Sequence, residues 1–265
     1  MQSDKKELYS HPLAKKVVDN HSLLILKRED EIKRGKVRKE LKSVSGNEWY
    51  HYDVFGHFVA ITSGVDRLEQ CQNFIRTFPR PRNYEKKGIN QHTWIEYHYS
   101  YYVINLVSLF DIALRLTNSV FRLGNRERDC KPELIKMNSW VEQTPVKQAL
   151  ENLEQLIKPH KNARNLHVHR GKVPDIASVM KSDDLDLLKH LSFIQMRGFS
   201  VPFIDREIID LAYKGHVKKI CKKLQEERDN VHDVTWRLFD TLLPIYDEKS
   251  TALEMVAYLK ERIRT

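Results

Sequence analysis

Tyr101-Tyr102-Val103-Ile104-Asn105-Leu106-Val107-Ser108-Leu109-Phe110-Asp111-Ile112-Ala113-Leu114-Arg115-Leu116 is the most apolar stretch of the chain. Asn105, Asp111 and Arg115 interrupt it, so it falls short of the run of about 18 apolar residues that a membrane span calls for. The surrounding pattern predicts a helix from about Thr93 to Leu123, with Gly124 as its C-cap. Its apolar positions are too dense for a single stripe. Such a helix is touched on several sides, as the central helix of a bundle is.

Helical spacing continues on both sides of it. Val54, Phe55, Phe58, Ile61, Val65, Leu68, Cys71 and Ile75 recur at steps of three and four. Pro79 and Pro81 end that pattern, and Arg80 to Gln91 reads as a basic loop. Residues 125–144 form a polar connection with a short helical piece after Pro132. Thr144 caps and Pro145 opens a helix marked by Val146, Leu150, Leu153, Leu156 and Ile157. Pro159 is expected to interrupt it or to begin the next segment. Leu185 to Phe193, Asp205 to Arg228, Val231 to Leu243 and Ser250 to Arg264 read as further helices, and Val201 to Ile204 as a short extended link. Strand signals are nearly absent, and there is no internal repeat. The fold class is all-α, a helical bundle with additional N- and C-terminal helices. Residues 1–50 form a basic, charge-rich extension, in which Leu23 to Leu41 reads as an exposed helix or hairpin arm and Ser43 to Asn47 as a loop. Residues 51–265 form the helical domain, its core at about 54–200.

The chain has 265 residues, 41% hydrophobic and 31% charged, which fits a folded helical protein and argues against disorder. Its net charge of +9 favours an anionic partner, nucleic acid before a membrane surface. Three widely spaced cysteines, Cys71, Cys130 and Cys221, form no Cys-x-x-Cys pair and suit a reducing cytoplasm. The first seven residues lack the apolar core of a signal peptide. A cytoplasmic location with no membrane contact is expected. No Gly-rich phosphate loop occurs, so a nucleotide-driven enzyme is not indicated.

The chemistry concentrates in Ala163-Arg164-Asn165-Leu166-His167-Val168-His169-Arg170-Gly171. A guanidinium and an imidazole five positions apart can serve one polyanionic substrate, the first as a fixed cation, the second carrying a proton near neutral pH. His167-x-His169 also invites a metal reading, but no third ligand stands at a telling distance. His92, Glu96 and His98 do not form the His-Glu-x-x-His of a zinc protease. The bare Arg-to-His spacing is loose. Weight comes from Asn165 directly after the arginine, Arg170-Gly171 directly after the histidine, and the position behind a long core helix and a second amphipathic helix.

Together these features resemble the HEPN superfamily of helical bundles, with its Arg-x(4–6)-His signature matched by Arg164 to His169. The resemblance covers about residues 54–200 and leaves the N-terminal fifty residues and the helices after Asp205 unexplained. It implies a homodimer in which two motifs share a cleft, and metal-independent cleavage of RNA. The ribose 2′-OH attacks the adjacent phosphate, leaving a 2′,3′-cyclic phosphate and a 5′-OH. It implies no cofactor. Toxin or phage-defence roles, and an antitoxin or nucleotidyltransferase partner, are also implied, as is the alternative of a catalytically silent module that binds RNA or a partner protein.

On that resemblance the site is Arg164 on the scissile phosphate and His169 as proton carrier, with Asn165 orienting the arginine, bonding a backbone carbonyl near the motif, or simply capping. The residue chemistry also allows a structural salt bridge for Arg164 and a helix-capping role for His169. Lys161, His167, Arg170 and Lys172 are candidate RNA contacts. Asp111, in the apolar middle of the long helix, is a candidate supporting acid, with an ion pair to Arg115 one turn on as the simpler reading. Trp94, Tyr97, Tyr99, Tyr101 and Tyr102 read first as packing surface and second as a base-stacking platform. Lys214, His216, Lys218, Lys219, Lys222 and Lys223 spread round one helix, as a solvated face or as a grip on an RNA backbone.

Overall fold

A computed structural model of the chain describes residues 7–33, 46–78, 84, 87–174, 176, 180–197 and 206–264. Readings placed on the Pro79–Pro81 stop, on the link at residues 201–204, on half of the Arg80–Gln91 loop and on most of the Ser43–Asn47 loop fall outside them. After a 3-10 turn at Leu8–Ser10, the helices are α1 (Pro12–Lys33), α2 (Gly46–Arg76), α3 (Gln91–Phe121), α4 (Pro132–Lys136), α5 (Ser139–Glu142), α6 (Val146–Arg170), α7 (Asp183–Met196) and α8 (Arg206–Arg264). Among the described residues there is no strand, so the protein is an all-α bundle.

The chain forms two compact units. The first comprises residues 1–63, 109–156 and 232–265; the second comprises 64–108 and 157–231. α2, α3, α6 and α8 each give one stretch to each unit. In the first unit Phe58, Leu109, Phe110, Leu114, Leu150, Leu153, Leu238 and Phe239 are buried. α1 belongs to it through buried Leu13, Ala14 and Val17. His11 caps that helix: its Nδ1 accepts from the Leu13 N–H at 3.0 Å, which leaves the proton on Nε2 to donate to Asp240 Oδ1 at 3.0 Å. In the second unit Leu68, Ile75, Ile95, Tyr99, Tyr102, Ile157, Leu185, Tyr213, Ile220 and Leu224 are buried.

Several helix limits differ from the sequence reading. α3 ends at Phe121, where Arg122, at φ +56°, takes the left-handed C′ position in place of Gly124. The Leu123 N–H bonds the Asn118 carbonyl and the Arg122 N–H bonds the Ser119 carbonyl, the paired bonds of a Schellman end. Asn90 caps the other end through Oδ1, which accepts from the Thr93 N–H. By length and composition α3 would be able to cross a membrane, and 67% of its apolar window is buried inside the protein. The Thr144 hydroxyl donates back to the Val141 carbonyl and does not cap α6.

The larger correction concerns proline. α6 continues through Pro159, and α8 continues through Pro244 as one helix where three were expected. A proline inside a helix removes one N–H and frees the carbonyl four residues earlier. Both prolines are exposed, and so are Gln155 and Asp240, whose carbonyls are freed. Water can satisfy those carbonyls, and the buried face on the opposite side carries each helix across the break. Pro159→Ala restores that hydrogen bond. It is expected to raise stability by about 2 kcal/mol, read as a higher urea midpoint at unchanged slope.

Candidate functional site

The phase of α6 decides where the motif points. Val146, Leu150, Leu153 and Ile157 form its buried face at steps of four, three and four. Because the helix is unbroken, that register continues through His160, Arg164 and His167. These three polar residues stand where core side chains would otherwise stand, and all are half-buried. His169, five residues after Arg164, is turned about 140° round the helix from it. It is exposed and shares its face with exposed Asn165, one turn earlier. The motif therefore has an inward face of His160, Arg164 and His167 and an outward face of Asn165 and His169.

The two faces are joined by a hydrogen bond. Arg164 Nη1 donates to Asn165 Oδ1 at 3.1 Å. The asparagine thus draws the guanidinium head toward the side that carries His169. The Nε of Arg164 is buried without a hydrogen-bond acceptor. Among the described residues no carboxylate pairs with this arginine. A half-buried cation without an anion is costly, and an incoming phosphate would offset that cost.

His160, which sequence reasoning missed, has a partner. Its Nε2 lies 2.6 Å from Glu227 Oε1 of α8. Glu227 also reaches Tyr102, where burial, first of all, and this carboxylate hold the phenol far above its usual range. The pair braces α6 one turn before Arg164. Its signal in the sequence was the four-residue step from His160 to Arg164, hidden when the helix was stopped at Pro159. His167 Nδ1 is buried without a hydrogen-bond partner.

The end of α6 is fixed by Gly171, at φ +64°. Its N–H bonds the His167 carbonyl at 3.0 Å, and the Lys172 N–H bonds the Leu166 carbonyl at 3.2 Å. This left-handed cap holds the last turn, and with it His169 and Arg170. Lys161 lies half-buried on the inward side, and Arg170 and Lys172 are exposed beside the cap.

The structure corrects the place of Asp111. It is exposed on α3, so the desolvation cost that singled it out does not arise, and Arg115 pairs with Glu127 at 3.5 Å instead. Of the aromatic group, Tyr99 and Tyr102 are buried, and Trp94 donates Nε1–H to the Phe74 carbonyl while packing on Phe78 and His98. Tyr97 and Tyr101 are exposed. Among the described residues no three His, Cys, Asp or Glu side chains converge as a metal-binding group.

A family model described as Cthe2314-like HEPN matches residues 36–235, which span the whole motif. The chain belongs to the HEPN superfamily. No curated protein and no solved structure matches it. Membership places this HEPN protein among domains of nucleotide-binding or ribonuclease type. The match begins beyond α1 and ends within α8.

Gly171→Ala puts a Cβ on a left-handed residue, at a cost of about 1–2 kcal/mol. Nothing lies within 4 Å of that Cβ, so the strain is local. The expected result is a modest fall in melting temperature with faster amide exchange confined to residues 167–172. Unchanged exchange there would show that the cap does not hold the motif.

Proposed function

We propose that this HEPN protein is a metal-independent endoribonuclease working as a homodimer. The observation that carries the reading is the Arg164–Asn165 hydrogen bond, which turns an arginine without a carboxylate partner among the described residues toward the face of His169. The guanidinium binds the scissile phosphate and stabilises the charge that grows on its oxygens. The ribose 2′-oxygen attacks phosphorus and the bond to the 5′-oxygen breaks, leaving a 2′,3′-cyclic phosphate and a 5′-OH. One proton leaves the 2′-OH and one is delivered to the departing 5′-oxygen. His169 carries either transfer, since an imidazole can both accept and donate a proton. Two copies of the motif in one cleft supply two imidazoles, so base and acid need not be the same group. Lys161, His167, Arg170 and Lys172 hold the strand.

A second reading is favoured by one specific observation. Among the described residues no side chain orients the exposed imidazole of His169, whereas a catalytic histidine is ordinarily held by a partner. On that reading the domain binds RNA or a partner protein and does not cut.

A mixed RNA pool in EDTA separates the two. Wild type is expected to cut it and leave cyclic-phosphate ends. Arg164→Ala and His169→Ala should each slow cutting by about a hundredfold or more, with folding and the two-chain mass unchanged by circular dichroism and light scattering. Lys161→Ala should weaken binding more than turnover. Wild-type rates in the double variant would remove Arg164 and His169 from the chemistry. Cutting that stops in EDTA and returns with magnesium would overturn the metal-independent route.

A further inference from the structure

The second unit holds a cleft of about 640 Å³ that the motif does not use. α2 contributes Gln72 and Arg76, the start of α3 contributes Gln91, and α8 contributes the opposite wall. On α8 the exposed lysines Lys214, Lys218 and Lys222 stand one above another at steps of four. The row is about 12 Å long and Arg76 of α2 lines the same cleft. Among the described residues Glu226 is the one acid in the lining, and its pairing with Lys222 at 3.9 Å is between two exposed groups. Such a pair neutralises little.

The floor is finished and neutral. Val217 and Cys221 are buried there. Gln72, also buried, is fixed by bonds from Nε2 to the Cys221 carbonyl at 2.8 Å and to Gln225 Oε1 at 3.1 Å. Burial pushes the Cys221 thiol up, with Arg76 opposing, so the floor carries no thiolate to repel an anion near neutral pH. The cleft also lies on a different side of α8 from the motif. Ile220, Leu224 and Glu227 meet His160, and the lysine row is turned about 140° from them.

We propose that this cleft binds the phosphate backbone of an RNA strand and does not read its bases. Three cations in line, with a fourth in the same cleft, match a linear polyanion better than a single phosphate. Among the described residues no aromatic ring lines the cleft to stack a base, and the amides of Gln72 and Gln225 are engaged within the protein. Recognition therefore rests on charge and is strongly salt-dependent. The site does not depend on cleavage: it stands if the motif only binds, and it can fail while the motif cuts.

The test measures binding of a fluorescent 20-nucleotide 2′-O-methyl RNA, which lacks the attacking hydroxyl, to the full chain across a salt series. Lys218→Gln/Lys222→Gln is the test variant. Lys15→Gln/Lys131→Gln, two exposed lysines of the first unit, removes the same charge elsewhere. The test variant is expected to lose about tenfold or more in affinity, with the slope of log K against log salt less steep by about 1.4, two contacts at about 0.7 each for a single strand. The control is expected to stay within about twofold. DNA of the same length should behave as the RNA does. Equal losses in both variants, no loss in either, or dependence on Lys218 and Lys222 seen only with inorganic polyphosphate would each overturn the proposal. A dinucleotide substrate is too short to reach both sites. Its cleavage, unaffected in the test variant and lost in His169→Ala, reports on the motif separately.

Discussion

The continuity of α6 through Pro159 is the constraint on which the candidate site depends. With the helix unbroken, the phase set by Leu150, Leu153 and Ile157 in the core is transmitted without slack to residues 160–170. Each residue adds a fixed rotation, so the buried apolar face dictates that His160, Arg164 and His167 turn inward and that Asn165 and His169 turn outward. A break at the proline would have let the motif choose its own orientation. The cost of keeping it closed is one missing hydrogen bond, placed where water can reach the freed carbonyl.

That register explains why an arginine occupies a position suited to leucine. Polar side chains in a core register are costly unless something answers them. His160 is answered by Glu227. Arg164 is answered in part, by Asn165, and its charge is left without a carboxylate among the described residues. A local arrangement that ignores the usual rule of pairing buried charge marks a place where a ligand completes the structure. The asparagine then has a physical role: it bends a side chain rooted on the inward face toward the outward one. Without it, the five-residue step between Arg164 and His169 would set the two groups apart.

Much of this was legible in the residues. The three- and four-residue steps of α2, α3 and α6 gave the bundle, because burying an apolar stripe forces that period. The family signature lay in nine consecutive residues. What escaped came from two sources. A proline on a solvated face ends a helix only if nothing on the other face holds it, and Pro159 and Pro244 both sit in helices that are held there. Charged residues were judged by their sequence neighbours. Asp111 looked buried because its neighbours are apolar, yet a residue between two buried turns can still point outward. Arg76 drew no notice at the end of α2, since only the fold sets it against Lys214, Lys218 and Lys222.

On the proposed reading, the cleft and the motif divide two tasks that RNA imposes on a protein. Holding a strand requires several cations spread along it, each exposed enough to release counterions, and no particular geometry. Cutting it requires one cation and one proton carrier placed to within a fraction of an ångström, on a rigid element. Exposed lysines at four-residue steps on α8 meet the first requirement. A half-buried arginine pinned by its neighbour, on a helix closed by a left-handed glycine, meets the second. One surface cannot do both well, because the exposure that makes a lysine row adaptable is what deprives a single charge of a fixed position. The +9 net charge of the chain is therefore better understood as two differently built sites than as one diffuse basic surface.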